Sequence, residues 1–206
     1  MNFSQILEQI DRQFALLIGL ALILSVLLLL WLYRYRMQRI LSEWRTERCL
    51  RSIGTDQIRH LVCPDGLDGY FTIDRLALTP NTIVLINHKR YAGRIYCAEQ
   101  IAEWTQVVGQ KSFKFENPLF ELENQLTAIK LLTGSQGFTG YLFFDPGASF
   151  PKGHPDSVLI QEAIPESLLN PQGEKATVQP AIQSVWNQLL AIKQEVADEQ
   201  RITAKP

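Results

Sequence analysis

Cysteine is scarce in this chain. Three residues, Cys49, Cys63 and Cys97, among 206 are too few and odd in number for a disulfide framework, which places the folded part in a reducing compartment. The chain also lacks a surplus of positive charge: 20 Lys and Arg stand against 21 Asp and Glu, so it cannot coat nucleic acid by bulk electrostatics, although a local basic groove stays open. No Gly-rich phosphate loop and no Gly-x-Ser-x-Gly elbow occur, which removes the common nucleotide-binding and serine-hydrolase signatures. His60 and Cys63 have a metal-like spacing, but no second pair follows at zinc-finger distance. Internal repeats and low-complexity segments are missing too.

What is present is distributed unevenly. From Phe14 to Tyr33 run 20 residues without a charge, which at ~1.5 Å rise per residue span the ~30 Å hydrocarbon core of a bilayer. Residues 1–13 carry Glu8, Asp11 and Arg12, unlike the basic start of a signal peptide, and no small-residue cleavage pattern follows the run. The segment therefore reads as a lasting anchor. Arg34, Arg36, Arg39, Arg45 and Arg48 follow it closely, so the positive-inside rule places residues 1–13 outside and everything after the helix in the cytoplasm, at the inner (plasma) membrane. Trp31, Tyr33 and Tyr35 lie where an interfacial aromatic belt would.

Beyond the anchor, residues 34–53 read as a basic juxtamembrane helix, with Gly54 as its stop. Two turn clusters, Cys63-Pro64-Asp65-Gly66 and Asp68-Gly69, precede β-like runs at Tyr70–Leu78 and Thr82–Tyr91, which Pro80-Asn81 separates. Short strands are expected at Arg94–Cys97 and Ser112–Phe115, with a helical or loop stretch containing Trp104 between them. Asn117-Pro118 opens a helix that Gly134 closes. Gly140–Phe144 and Ser157–Ile160 read as further strands, and Pro180 to about Glu199 as an amphipathic helix behind a linker within 166–206. The pattern predicts an α/β or α+β sandwich.

One constellation could carry chemistry. If the Thr79–Thr82 turn closes an antiparallel hairpin, Asp74 lies opposite Asn87 and diagonal to Lys89, so an acid, an amide and an amine share one face. Two carboxylates and a lysine on such strands suit metal-dependent phosphodiester hydrolysis: the acids hold Mg²⁺ and the ammonium meets charge developing on phosphate. Here one carboxylate is an amide, whose carbonyl can coordinate a cation but supplies no charge, so Mg²⁺ binding should be weak. His88 alternates to the opposite face. Asn117 reads as a helix cap, and Trp104 as core.

Thr72-Ile73-Asp74-Arg75-Leu76, then Ile86-Asn87-His88-Lys89-Arg90-Tyr91-Ala92-Gly93-Arg94-Ile95, Trp104-Thr105-Gln106 and Phe115-Glu116-Asn117-Pro118-Leu119 together resemble the nuclease-related domain, NERD. Glu47-Arg48-Cys49-Leu50 resembles its opening helix and Phe150-Pro151-Lys152-Gly153 a later segment, so the likeness covers about residues 43–165. It implies a PD-(D/E)XK nuclease-like fold, an α/β arrangement of a mixed central sheet flanked by helices, often membrane-anchored. It also implies Asp74, Asn87, Lys89 and the first-helix acid Glu47 as the catalytic set. The family's Ile-Glu-x-Lys is here Ile86-Asn87-His88-Lys89; its Gln after Asn-Pro is Glu121, and its later His is Gln125. Glu121 or Glu103 could replace the missing acid, which makes Asp74, Asn87 and Glu121 the expected Mg²⁺ ligands.

Residues 40–206 hold 16 basic against 19 acidic side chains, so nucleic-acid binding would have to be local. Arg75, Arg90 and Arg94, with Lys111 and Lys114, could track a phosphate backbone, or face anionic lipid. The resulting expectation is a membrane-anchored relative of metal-dependent nucleases, weakened or lost in catalysis. The alternative is a non-catalytic tethered module that binds a protein or nucleic acid.

Overall fold

The computed structural model describes residues 3–64, 69–170 and 177–203; the turn residues Asp65, Gly66 and Asp68 lie outside the described residues. A long helix α1 (Phe3–Arg51) leads into strands β1 (Asp56–Pro64), β2 (Tyr70–Leu78), β3 (Ile83–Lys89), β4 (Gly93–Tyr96), β5 (Glu103–Val108) and β6 (Lys111–Glu116). Helix α2 (Pro118–Thr133), strands β7 (Phe138–Phe144), β8 (Ala148–Ser149) and β9 (Val158–Ile160) and helix α3 (Pro180–Thr203) complete the chain.

Two units result, one ending at Arg45 and one beginning at Thr46. The described part of the first is helix alone. From Leu20 to Leu32 its large apolar side chains are exposed, and it is the one helix among the described residues long and apolar enough to cross a membrane. Expected as an anchor followed by a juxtamembrane helix, the segment is continuous through Arg51. Gly54, at φ +70, then turns the chain, and a Cβ there would come within 2.4 Å of the Leu78 carbonyl oxygen, so the glycine is required.

The second unit is α/β with two mixed sheets. The larger has the order β1-β2-β3-β7-β9, antiparallel from β1 to β3 and parallel from β3 to β9. The smaller has the order β6-β5-β4-β8. Both faces of the larger sheet are covered. Leu76, Leu78, Ile83, Leu85 and Phe144 pack with Leu119, Leu122 and Ile129 of α2 and Trp186 of α3, while Ala77, Val84, Ile86 and Phe143 pack with Leu50, Ile53 and Leu168. Double burial explains why Ile83-Val84-Leu85-Ile86 is continuously apolar rather than alternating.

Several sequence expectations change. Cys63 and Pro64, expected in a turn, end strand β1 and pair with Phe71 and Tyr70. Trp104 is fully buried core as expected, but it lies on strand β5 rather than in a helix or loop. A second sheet accompanies the central one, and β8 joins it by pairing Gly93 with Ala148. The strand at Thr82–Tyr91 is shorter, Ile83–Lys89, because Thr82 belongs to the turn and the β-ladder stops at Lys89.

Candidate functional site

The β2–β3 hairpin has the register that its turn dictates. Thr79 N–H donates to the Thr82 carbonyl at 3.0 Å, Thr82 N–H donates to Thr79 Oγ1 at 3.2 Å, and Leu78↔Ile83, Leu76↔Leu85 and Arg75↔Ile86 follow in step. There the backbone ladder ends. Asp74 continues it with its side chain, its Oδ2 accepting the His88 N–H at 3.1 Å. On the neighbouring strand His60, between the pairs Arg59↔Arg75 and Leu61↔Ile73, adopts φ +48, the one positive φ at a non-glycine among the described residues. Core-facing positions also change parity here, from Leu76 and Leu78 to Ile73 and from Ile58 to Leu61 and Cys63. A kink of this kind re-aims side chains. As a result Asp74 borders a cleft on each face of the sheet.

The larger cleft, about 860 Å³, lies beneath α2 and is lined by Asp74, Lys89, Glu121 and Gln125, with Phe71 and Tyr91 among its apolar walls. Asn117 fixes the start of α2: its Oδ1 accepts the Leu119 N–H, and its Nδ2 donates to the carbonyls of Glu99 and Ile101, so it is the cap expected. Glu121 and Gln125 then fall four residues apart on one helical face. Lys89 Nζ donates to Glu121 Oε2 at 2.7 Å. Gln125 Nε2 donates to the Thr72 carbonyl at 3.2 Å, which orients its amide so that Oε1 receives Asn87 Nδ2 at 2.8 Å. That leaves Asn87 Oδ1 buried with no donor. A buried unpaired acceptor of this kind costs ~1–3 kcal/mol.

Asp74, Asn87, Lys89 and Glu121 are therefore brought together, and Glu47 is not. Glu47 lies on the opposite face, ion-paired with Arg51, Arg59 and Arg75. Burial raises its pKa, but the hydrogen bonds from Arg51 and Arg75 and the charges of Arg75 and Arg59 outweigh this and hold it below the usual carboxylate range. Arg75, expected to track phosphate, is 7% exposed and donates to Glu47 Oε2 and Gln57 Oε1, both at 2.7 Å. Its Nη1 and Nη2 are held by these bonds on the face opposite the Lys89 cleft, so it does not serve that cleft. Lys114 is paired with Glu103, which takes both away from the cleft's chemistry. Arg90 and Arg94 are exposed, as phosphate contacts would need to be. His88 does point away from Lys89, its Nε2 2.6 Å from Asp145 Oδ1.

These donors do not fit a resident Mg²⁺. Such an ion needs octahedral oxygen ligation anchored by one or two carboxylates. Glu121, expected as a ligand, turns its oxygens to Lys89 and Gln125, Asn87 Oδ1 is neutral, and Asp74 has one oxygen engaged by His88 N–H. No group of three or more His, Cys, Asp or Glu side chains placed to hold a metal occurs among the described residues. Sequence reasoning noted Gln125 only as a departure from a pattern and missed its bond to Asn87. The i, i+4 spacing after the Asn-Pro cap was the available signal.

An uncharacterized protein of Bacillus anthracis is 31% identical over 64 residues, which is 31% of this chain and 30% of that protein, so the match spans less than a third of the relative's length. No solved structure matches. The model of the nuclease-related domain matches residues 38–145, more than half of the chain and all of the strands that carry Asp74, Asn87 and Lys89. The chain belongs to the nuclease-related domain (NERD) family.

Proposed function

We propose that this is a single-pass, membrane-anchored NERD protein whose cytoplasmic PD-(D/E)XK-like domain binds nucleic acid through the Lys89 cleft, with metal-dependent phosphodiester hydrolysis weakened or lost. One observation carries the reading: the cleft holds an Asn87–Gln125 amide pair and a Lys89–Glu121 ion pair where metal-dependent hydrolysis would want free carboxylates. Lys89 is only 19% exposed, and its present partner is a carboxylate on the rim that is 56% exposed. A phosphate oxygen can replace that carboxylate as acceptor with little loss, because the outgoing glutamate regains water. Arg90 and Arg94 would then add contacts that follow the backbone. The bare apolar stretch of α1 supports the anchor, since so large an exposed apolar surface is stable in lipid rather than in water.

A second reading, a tethered module for a protein partner without nucleic acid, is favoured by the same neutralisation of Lys89. Binding of single- and double-stranded DNA and RNA to the full chain in detergent, with and without Mg²⁺ or Mn²⁺, separates the two. Nucleic-acid binding lost in Lys89→Ala, with little or no cleavage, is the expected result; absence of all binding overturns it in favour of the module. Efficient cleavage by the unaltered chain would overturn the claim of weakened catalysis. Asn87→Glu should raise Mg²⁺ affinity. A cytoplasm-only reporter fused to the C-terminus should be active, and silence would overturn the orientation.

A further inference from the structure

Across the sheet from Lys89 lies a second, smaller cavity of about 240 Å³, walled by the end of α1 and by strands β1, β2 and β3. Its charges are unbalanced. Glu47 alone receives three guanidinium groups, from Arg51, Arg59 and Arg75, and Arg90 lines the same cavity from the end of β3. The acids facing them are Glu47 and Asp74, with Asp145 beyond, bonded to His88. Four arginines against these three acids leave an excess of one positive charge, to which His60 and His88, both lining the cavity, each add one when protonated. Gathering like charges in a concave, partly desolvated place is unfavourable. Arg75 shows the strain, its pKa pushed below the usual arginine value by burial and by the repulsion of Arg59 and Arg51, against the pull of Glu47.

We infer that this cavity is a metal-independent site for a phosphate monoester, formed by Arg59, Arg75 and Arg90 and separate from the Lys89 cleft. Three features select that ligand. A monoester phosphate carries about −1.5 to −2 charges at neutral pH, which offsets the excess. Arg59 on β1, Arg75 on β2 and Arg90 just past β3 carry guanidinium groups whose N–H donors not bonded to Glu47 or Gln57 can meet three terminal oxygens, whereas a diester offers two. The cavity, about 240 Å³, has room for a phosphate group and some of its hydration. The ligand is thus inorganic phosphate or the terminal phosphate of a strand. Arg59, 40% exposed, and Arg90 remain accessible, while Arg75 forms the floor.

The inference does not depend on the Lys89 cleft binding nucleic acid. It is tested on the full chain in detergent with EDTA present, by calorimetric titration of inorganic phosphate and, in a second arm, of short oligonucleotides ending in a 5′ or 3′ phosphate or in hydroxyls. Saturable binding of inorganic phosphate is expected, and a gain in affinity for phosphate-ended over hydroxyl-ended oligonucleotides identifies a strand terminus as the source. Arg59→Ala and Arg90→Ala should each weaken it about tenfold, Arg59→Lys less, because the charge remains while the fork is lost. Lys89→Ala should leave the binding of inorganic phosphate unchanged. The inference is overturned if phosphate gives no more heat than chloride and terminal phosphates give no advantage over hydroxyls, or if Lys89→Ala removes the binding of inorganic phosphate and the arginine variants do not. Circular dichroism of the exposed-arginine variants distinguishes lost binding from lost folding.

Discussion

The two ends of the β2–β3 hairpin differ in what holds them together. At the closed end, Leu76, Leu78, Ile83 and Leu85 are fully or almost fully buried and paired by an unbroken backbone ladder. At the open end the ladder stops after Arg75↔Ile86, and side chains take over: Asp74 on the His88 N–H, Asn87 on Gln125, Lys89 on Glu121. A continuous ladder leaves no donor or acceptor for a ligand. Chemistry becomes possible where the strands part, and the partners there are exchangeable because two of them, Lys89 and Glu121, reach solvent.

Energetics should show this division. Leu85→Ala at the closed end is expected to cost ~2–5 kcal/mol, by lost transfer free energy and cavity formation, read as a fall in the urea midpoint. Asp74→Ala at the open end should cost less, ~1–2 kcal/mol for one charge-assisted hydrogen bond at a half-buried site. Equal losses would dissolve the comparison. Glu47→Gln, on the opposite face, should cost ~1–3 kcal/mol at neutral pH, because it removes the negative charge and turns one of the two oxygens that accept from the arginines into a donor. The sign with pH follows from the lowered pKa: the contribution is fully present above the ordinary value of 4.5 and is lost as pH falls through the depressed folded value. The acid limb of the unaltered chain's stability curve should therefore flatten in Glu47→Gln.

Smaller effects test the open end more finely. Replacing Asn87 and Gln125 together by Leu should leave stability within ~1 kcal/mol of the unaltered chain, since both partners and the orphaned oxygen go at once. Asn87→Leu alone should be worse, by stripping Gln125 Oε1 of its donor; a double variant no better than the single would refute the pairing. Glu121→Gln should change stability least, by ~0–1 kcal/mol for an exposed ion pair, yet raise nucleic-acid affinity severalfold by freeing Lys89. Reduced affinity in that variant would mean that Glu121 serves the ligand rather than competing with it.

Much of this site was legible because its signals are local. The limits of β2, the register through Thr79–Thr82, the Asn117-Pro118 cap and the Gly134 stop, at φ +65, all depend on neighbours within a few residues. The smaller sheet was harder. Its β5–β6 hairpin closes over Gly109-Gln110 with Val108↔Lys111 as the flanking pair, and the lone Gly109, which takes φ +61, is a weaker turn signal than the Pro80-Asn81 pair that separates β2 from β3. Arg75 misled for another reason. It sits beside Asp74 in sequence, and nothing local reveals that Glu47, 28 positions earlier, meets it on the other face.

The sequence by itself determined the apolar helix, the family, and the conjunction of Asp74, Asn87 and Lys89, because hydrophobic run length, motif order and hairpin geometry are properties of short stretches of chain. Only the tertiary structure decided how those residues are used. Packing α2 over the sheet gave Lys89 to Glu121 and Asn87 to Gln125, and docking the end of α1 on the other face turned Glu47 and Arg75 into a separate cluster. Charges and amides act through whatever lies within a few ångströms, and those neighbours come from elements far away in sequence.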